Sequence, residues 1–108
     1  MTTAVFDWAR AWSAQDVERY LSAYAPEFMP SGSLSRTAWV KQRRQRVSAP
    51  SRINVEVIAP KAEATGPDTA RVRFTQAYES NTYEDRGIKV LDLKKIAGRW
   101  LIIRDATR

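Results

Sequence analysis

The sequence predicts an α+β domain: three helices packed on one side of a curved antiparallel sheet. Three observations lead there. Apolar residues at helical spacing fill the first half of the chain, period-two alternation fills the second, and Pro50 stands where the two patterns meet. Helices followed by an unbroken series of strands is the order of α+β folds, whose helices gather on one face of the sheet.

Val5, Trp8, Ala9 and Trp12 fall at i, i+3, i+4 and i+7, one stripe of a helix that Thr2 or Thr3 is placed to cap. Ser13-Ala14-Gln15-Asp16 interrupts it with the Ser-x-x-acid form of a capping box, Asp standing for the usual Glu. Val17, Tyr20, Leu21 and Tyr24 repeat the spacing in a second short helix stopped by Pro26. Pro26 to Ser35, with Pro30, Gly32 and three serines, reads as a connector in which Phe28 and Met29 are placed to pair briefly as a strand. Ser35 caps a third helix running to about Val47, with Pro50 beyond its end.

Ile53, Val55 and Val57 then alternate with Asn54 and Glu56, and Ala64 to Asp68 makes a turn. In the next strand Val72, Phe74, Gln76 and Tyr78 alternate with Arg71, Arg73, Thr75 and Ala77. Glu79 to Asp85 reads as a polar connection. Gly87 to Ile96 places Lys89, Leu91 and Leu93 on one face and Ile88, Val90 and Asp92 on the other. Ala97-Gly98 is a hairpin turn, and Arg99 to Ala106 is the last strand. Strands of nine to twelve residues exceed the usual five or six, so the sheet must twist and curl, leaving a pocket between its concave face and the helices. The last strand is apolar on both faces, which predicts that the convex face is covered too, by a second copy.

At 108 residues the chain is expected to form one domain with one core. It contains no cysteine and no histidine. Disulfides, thiolate nucleophiles, Ser-His-Asp triads and His- or Cys-ligated metals are therefore excluded within it, and acid–base chemistry falls to Asp, Glu, Tyr or Lys. The 18 basic and 12 acidic residues give a net charge of +6. Arg36, Lys41, Arg43, Arg44, Arg46 and Arg52 lie in a segment without acids, while the rest of the chain balances at 12 against 12, so one segment holds the whole excess. A basic run invites a nucleic-acid reading, but no aromatic platform or glycine-rich loop accompanies it, and a solvated helix face is the expected role. Glu79, Glu84 and Asp85 are too loosely spaced for a metal site, and no run of residues is apolar enough to span a membrane. Met1 to Asp7 has neither the basic n-region nor the apolar h-region of a signal peptide.

Two positions break their patterns in a chemically useful way. Gln76 interrupts an apolar row, so it either lines a pocket with the Tyr78 hydroxyl beside it or satisfies backbone at a bulge. Arg43 lies between Val40 and Val47 on the buried face of the third helix. It either anchors an anion or lies along Trp39, four residues before it, with its end in water. The aromatics Trp8, Trp12, Tyr20, Tyr24 and Trp100 read mainly as core.

Taken together, Trp8 to Ser13, Asp16 to Phe28, Arg36, Trp39 to Arg43 and the closing Gly98-Arg99-Trp100-Leu101-Ile102 resemble the nuclear transport factor 2-like superfamily, which includes the SnoaL-like proteins. Within it, Ala11-Trp12-Ser13-x-x-Asp16, Tyr20-Leu21-x-x-Tyr24-Ala25, Phe74-x-Gln76-x-Tyr78-x-Ser80 and Lys89-x-Leu91-x-Leu93 are most similar to the domain appended to bacterial L,D-transpeptidase-type and tetratricopeptide-repeat envelope proteins. The resemblance implies a cone-shaped α+β fold, a homodimer through the sheet and a periplasmic or envelope setting. It implies no single chemistry, because superfamily members include isomerases, dehydratases and pure binding modules. The enzymes among them use a pocket Asp or His. Here that base would have to be Asp92 or Asp105. The expected function is a non-catalytic domain that binds a small or wall-derived ligand or a partner. The alternative is a small enzyme with an Asp base and Gln76, Tyr78 or Arg43 as stabilisers. The pocket candidates are Tyr24, Trp39, Arg43, Phe74, Gln76 and Tyr78, with no catalytic residue, metal or cofactor assigned.

Overall fold

The computed structural model describes residues 1–30, 32 and 34–107. The chain folds as α1 (Thr2–Ser13), α2 (Val17–Ser22), α3 (Arg36–Ser48), β1 (Ile53–Gly66), β2 (Thr69–Ser80), β3 (Glu84–Ile96) and β4 (Arg99–Thr107). The strands form one antiparallel sheet in the order β1-β2-β3-β4, and the helices cover its concave face. No helix is long and apolar enough to cross a membrane among the described residues.

α1 buries Val5, Trp8, Ala9, Ala11 and Trp12, the stripe its spacing predicts. Its cap differs from expectation. Met1 is the N-cap, and Thr2 and Thr3 already lie inside the first turn, so neither caps it. No capping box forms at Ser13 either. Asp16 is the cap of α2, accepting from Arg19 N at 3.1 Å. Ser13 is drawn to the sheet instead, where its Oγ accepts from Val55 N at 2.8 Å. α2 stops at Ser22, before Pro26, because Tyr24 leaves the helix and bridges Ile102 in parallel. Ile102 N donates to Ala23 O and Ala25 N to Ile102 O, both at 2.8 Å. That pairing replaces the one expected at Phe28 and Met29; Phe28 is buried and Met29 exposed. Two of the connector's serines, Ser31 and Ser33, lie outside the described residues. Ser35 caps α3, accepting from Ala38 N at 3.1 Å, and α3 buries Trp39 and Val47.

The strands run from 9 to 14 residues, longer than predicted. β1 continues through Pro60, which an edge strand tolerates at a bulge. The register slips between Ile58 and Lys61, where Ala59 takes a φ of 52°. The polar stretch from Glu79 to Asp85 is mostly strand, with only 81–83 left as the turn. Ser80 clasps that turn: its N donates to Tyr83 O at 2.7 Å and its Oγ accepts from Tyr83 N at 3.1 Å. A second slip matters more. Asp92 pairs with Arg104 and Leu93 with Ile102, so Ile103 has no opposite residue. Ile102 and Asp105 are an odd number of residues apart and would otherwise face opposite sides. The bulge turns both to the concave face.

Candidate functional site

β2 sets Val72, Phe74, Gln76 and Tyr78 along the concave face, and β3 sets Leu91, Lys89, Gly87 and Asp85 directly opposite them. The apolar end of these rows lies under α1 and α2 with Trp8, Tyr20 and Ile102. The polar end opens toward α3 as a cleft of about 750 Å³, lined by Trp12, Arg43, Arg46, Gln76, Tyr78 and Lys89, with Tyr83 and Asp85 among its other lining residues. Gly87 keeps space open beside Gln76, since a Cβ there would meet nothing within 4 Å. Trp12 and Tyr78 have ring centroids 5.3 Å apart, and Tyr78 and Tyr83 6.1 Å, which makes one aromatic wall from the core to exposed Tyr83. A groove of similar volume, about 720 Å³, lies between α1, α2 and Trp100. What distinguishes the cleft is its polar chemistry. Among the described residues three buried side-chain atoms lack a hydrogen-bond partner: Trp12 Nε1, Arg43 Nε and Gln76 Oε1. All three belong to residues that line the cleft.

Behind the cleft runs a closed network. Lys89 Nζ donates to Asp105 Oδ1 at 2.7 Å, and Tyr24 OH donates to Asp105 Oδ2 at 3.1 Å. Trp8 Nε1 donates to the Tyr24 oxygen at 3.1 Å. Since the single Tyr24 proton is spent on Asp105, Tyr20 must be the donor in its 3.2 Å bond to Tyr24. Burial raises the Tyr20 phenol above its usual range, and Arg43 opposes that rise. Burial, then Tyr20 and Asp105, hold the Tyr24 phenol well above it. Both are neutral donors at physiological pH. Burial pulls the Arg43 guanidinium down, but Tyr20, Tyr24 and Asp105 outweigh it and the group stays charged.

Of the six pocket candidates, the structure brings Arg43, Gln76 and Tyr78 to the cleft. It places Tyr24, Trp39 and Phe74 in the core beneath, where Trp39 packs on Tyr24 and Phe28 at 4.7 Å each and Phe74 meets Trp8 edge-on at 6.1 Å. Arg43 lies against Trp12 rather than Trp39, with its Nε buried. It turns inward, its Cζ 5.8 Å from the Trp12 ring centroid, because Tyr24 and Phe28 already hold the Trp39 indole. Gln76 does not satisfy backbone at a bulge; it sits in regular register between Val57 and Gly87. Lys89, Arg46 and Trp12 were not among the sequence candidates. Lys89 carried a readable signal, a charge in phase with Leu91 and Leu93. Of the two possible bases, Asp92 faces the convex side and binds Arg71 Nε at 2.8 Å, while Asp105 lies inside.

The basic segment does not form one patch. Arg43 turns in, Arg44 pairs with Glu18, Arg52 pairs with Glu79, and Arg36 donates to Phe28 O.

The family model described as the Cds6 C-terminal NTF2-like domain matches residues 1–106. Bd1075 of Bdellovibrio bacteriovorus superposes with a TM-score of 0.87 at 27% identity, over 98% of this chain and 38% of its own. The helical cell shape determining protein Pgp2 of Campylobacter jejuni, in a single-substitution mutant, gives 0.87 at 20% identity over 95% of this chain and 38% of its own. An NTF2-like protein of unknown function from Pseudomonas putida KT2440 gives 0.77 at 15% identity, over 98% of this chain and 81% of its own. Candidate dehydratases and a candidate aromatic ring hydroxylase share the fold at 11% to 15% identity. This chain thus spans 38% of the length of Bd1075 and of Pgp2. No curated protein matches it in sequence.

Proposed function

The chain belongs to the family of Cds6 C-terminal NTF2-like domains, and from that premise we propose that it is a non-catalytic ligand-binding domain appended to a bacterial protein that works at the cell wall. The observation that carries the non-catalytic reading is the engagement of Asp105. A general base must present an oxygen to the substrate, and Asp105 is not among the residues that line the cleft. Asp105 has one oxygen on Lys89 and the other on Tyr24, and 9% of its side chain is exposed. Asp85, the carboxylate that does line the cleft, stands in solvent on the rim. The cell-wall setting is supported by the likeness to Pgp2, named for determining helical cell shape, which matches over only 38% of its own length.

An NMR titration of the ¹⁵N-labelled protein with soluble peptidoglycan fragments tests this. Shifts should gather on Gln76, Tyr78, Tyr83 and the Trp12 indole, and mass spectrometry should recover the fragments intact. Chemically altered fragments would favour the enzyme alternative, with Asp105 as its base. Shifts confined to other surfaces would remove the cleft as the site.

We further propose pairing of two copies through the convex face. There Ile58, Thr75 and Ile88 lie side by side in register and are each partly exposed. Light scattering that gives twice 12.3 kDa supports this, and a monomer at millimolar concentration ends it.

A further inference from the structure

Resting on that reading of the cleft, we propose that its ligand is a carboxylate with an N–H donor beside it, the chemistry of the C-terminal residue of a peptide. The first argument is charge. Lys89 and Asp105 are enclosed at the back of the cleft, and Arg43 is half-buried at its wall with its Nε fully enclosed. Lys89 and Asp105 neutralise each other at 2.7 Å. Arg43 forms no salt bridge among the described residues. It faces two neutral phenols, an aromatic ring and a carboxylate that already has its cation. A half-buried cation whose nearest carboxylate already belongs to Lys89 has no counter-ion of its own, and an anion in the cleft is the partner that supplies one. The guanidinium fork matches a planar carboxylate.

The second argument is the pattern of unmet hydrogen bonds. Arg43 Nε and Trp12 Nε1 are donors without acceptors, and Gln76 Oε1 is an acceptor without a donor. A ligand that completes this set must accept at one end and donate at the other. Sulfate offers acceptors only and would press an oxygen against Gln76, while hydrogen phosphate has one hydroxyl to donate but no chain to lie on the aromatic wall. An acylated amino acid supplies both groups, with its carboxylate for Arg43 and its amide N–H for Gln76. The Trp12–Tyr78–Tyr83 wall gives the rest of such a chain an aromatic surface to lie on.

Three probes separate these terms: N-acetylalanine, its neutral C-terminal amide, and the acetyl ester of lactate, in which oxygen replaces the amide N–H. Each is titrated into the ¹⁵N-labelled protein, reading the Trp12 indole and Gln76 side-chain signals. N-acetylalanine should move both. The neutral amide should bind about tenfold or more weakly, as expected for loss of a charge-assisted hydrogen-bonded contact. The ester should bind several-fold more weakly and leave Gln76 unmoved. Arg43→Gln should erase the preference for the acid over the amide, and Gln76→Leu the preference for amide N–H over ester. Equal binding of acid and neutral amide would overturn the proposal while leaving the cleft a binding site. Inorganic phosphate competing as well as N-acetylalanine would overturn it too. If no probe moves either signal, the proposal fails, and the titration with peptidoglycan fragments decides the broader reading separately.

Discussion

Lys89 Nζ sits 2.7 Å from Asp105 Oδ1, with only 10% and 9% of the two side chains exposed. A pair so enclosed gains from attraction and loses from desolvation in similar measure, so its removal as a unit is nearly neutral while removal of one partner is not. Lys89→Met should therefore destabilise by about 3–5 kcal/mol. The double variant Lys89→Met/Asp105→Leu should recover part of that loss in urea unfolding, less the cost of the Tyr24 hydroxyl that loses its acceptor. Equal stability of the single and double variants would mean that the charges are not coupled.

Tyr24 is the hub behind this pair. Its oxygen accepts from Trp8 and Tyr20 and its proton goes to Asp105. Tyr24→Phe strips a partner from all three, each loss costing about 1–3 kcal/mol before relaxation. After relaxation a net loss of about 3 kcal/mol is expected. Tyr20→Phe removes one donor from an oxygen that keeps Trp8, and should cost about 1 kcal/mol. The ratio of the two, measured by chemical denaturation, checks the direction assigned to each bond.

The same phenols predict an alkaline limit. Burial raises both Tyr20 and Tyr24 above their ordinary value. Above about pH 10 the unfolded chain releases tyrosine protons that the folded chain keeps, so stability falls as pH rises. The contribution is complete below that pH and disappears as pH climbs through the folded-state values. Unfolding free energy plotted against pH should bend downward there, and Tyr24→Phe should flatten the bend.

Arg43 should behave in the opposite sense to a stabilising residue. Its unmet Nε costs about 1–3 kcal/mol, whereas its contact with the Trp12 ring returns about 0.5–1 kcal/mol. Arg43→Met keeps the packing volume and removes the charge. It should raise stability by about 1 kcal/mol, and thermal unfolding should show a higher midpoint, while ligand binding is lost. A lower midpoint would identify Arg43 as structural.

How much of this could be read from the sequence follows from where local pattern decides the outcome. The stripes of α1 and α3 and the row Val72, Phe74, Gln76, Tyr78 follow directly from periodicity. So did Arg43 and Gln76, because each breaks its own period. The inward placement of Asp105, and so the choice between it and Asp92, was not readable, since the bulge at Ile103 inverts the strand's phase and nothing local announces it. The early end of α2 depends on Ile102, far away in sequence, capturing the backbone around Tyr24. The i, i+4 spacing of Trp39 and Arg43 suggested a contact that the packing of Tyr24 and Phe28 on Trp39 pre-empts. Local order thus carried the architecture and the two anomalous residues, and long-range pairing decided what they face.

Gly87 offers a way to close the cleft without touching any polar atom. It lies opposite Gln76 on the concave face, and an added Cβ meets nothing within 4 Å. Glycine inside a strand is weaker than most residues by about 0.5–1 kcal/mol on entropic grounds. Gly87→Leu should therefore fold at least as stably as the parent chain while its side chain fills the space beside Gln76. Binding of peptidoglycan fragments and of N-acetylalanine should both fall, with Arg43 and Gln76 intact. Retained binding at full strength would show that ligands enter elsewhere, and the groove between α1, α2 and Trp100 would then become the site to test.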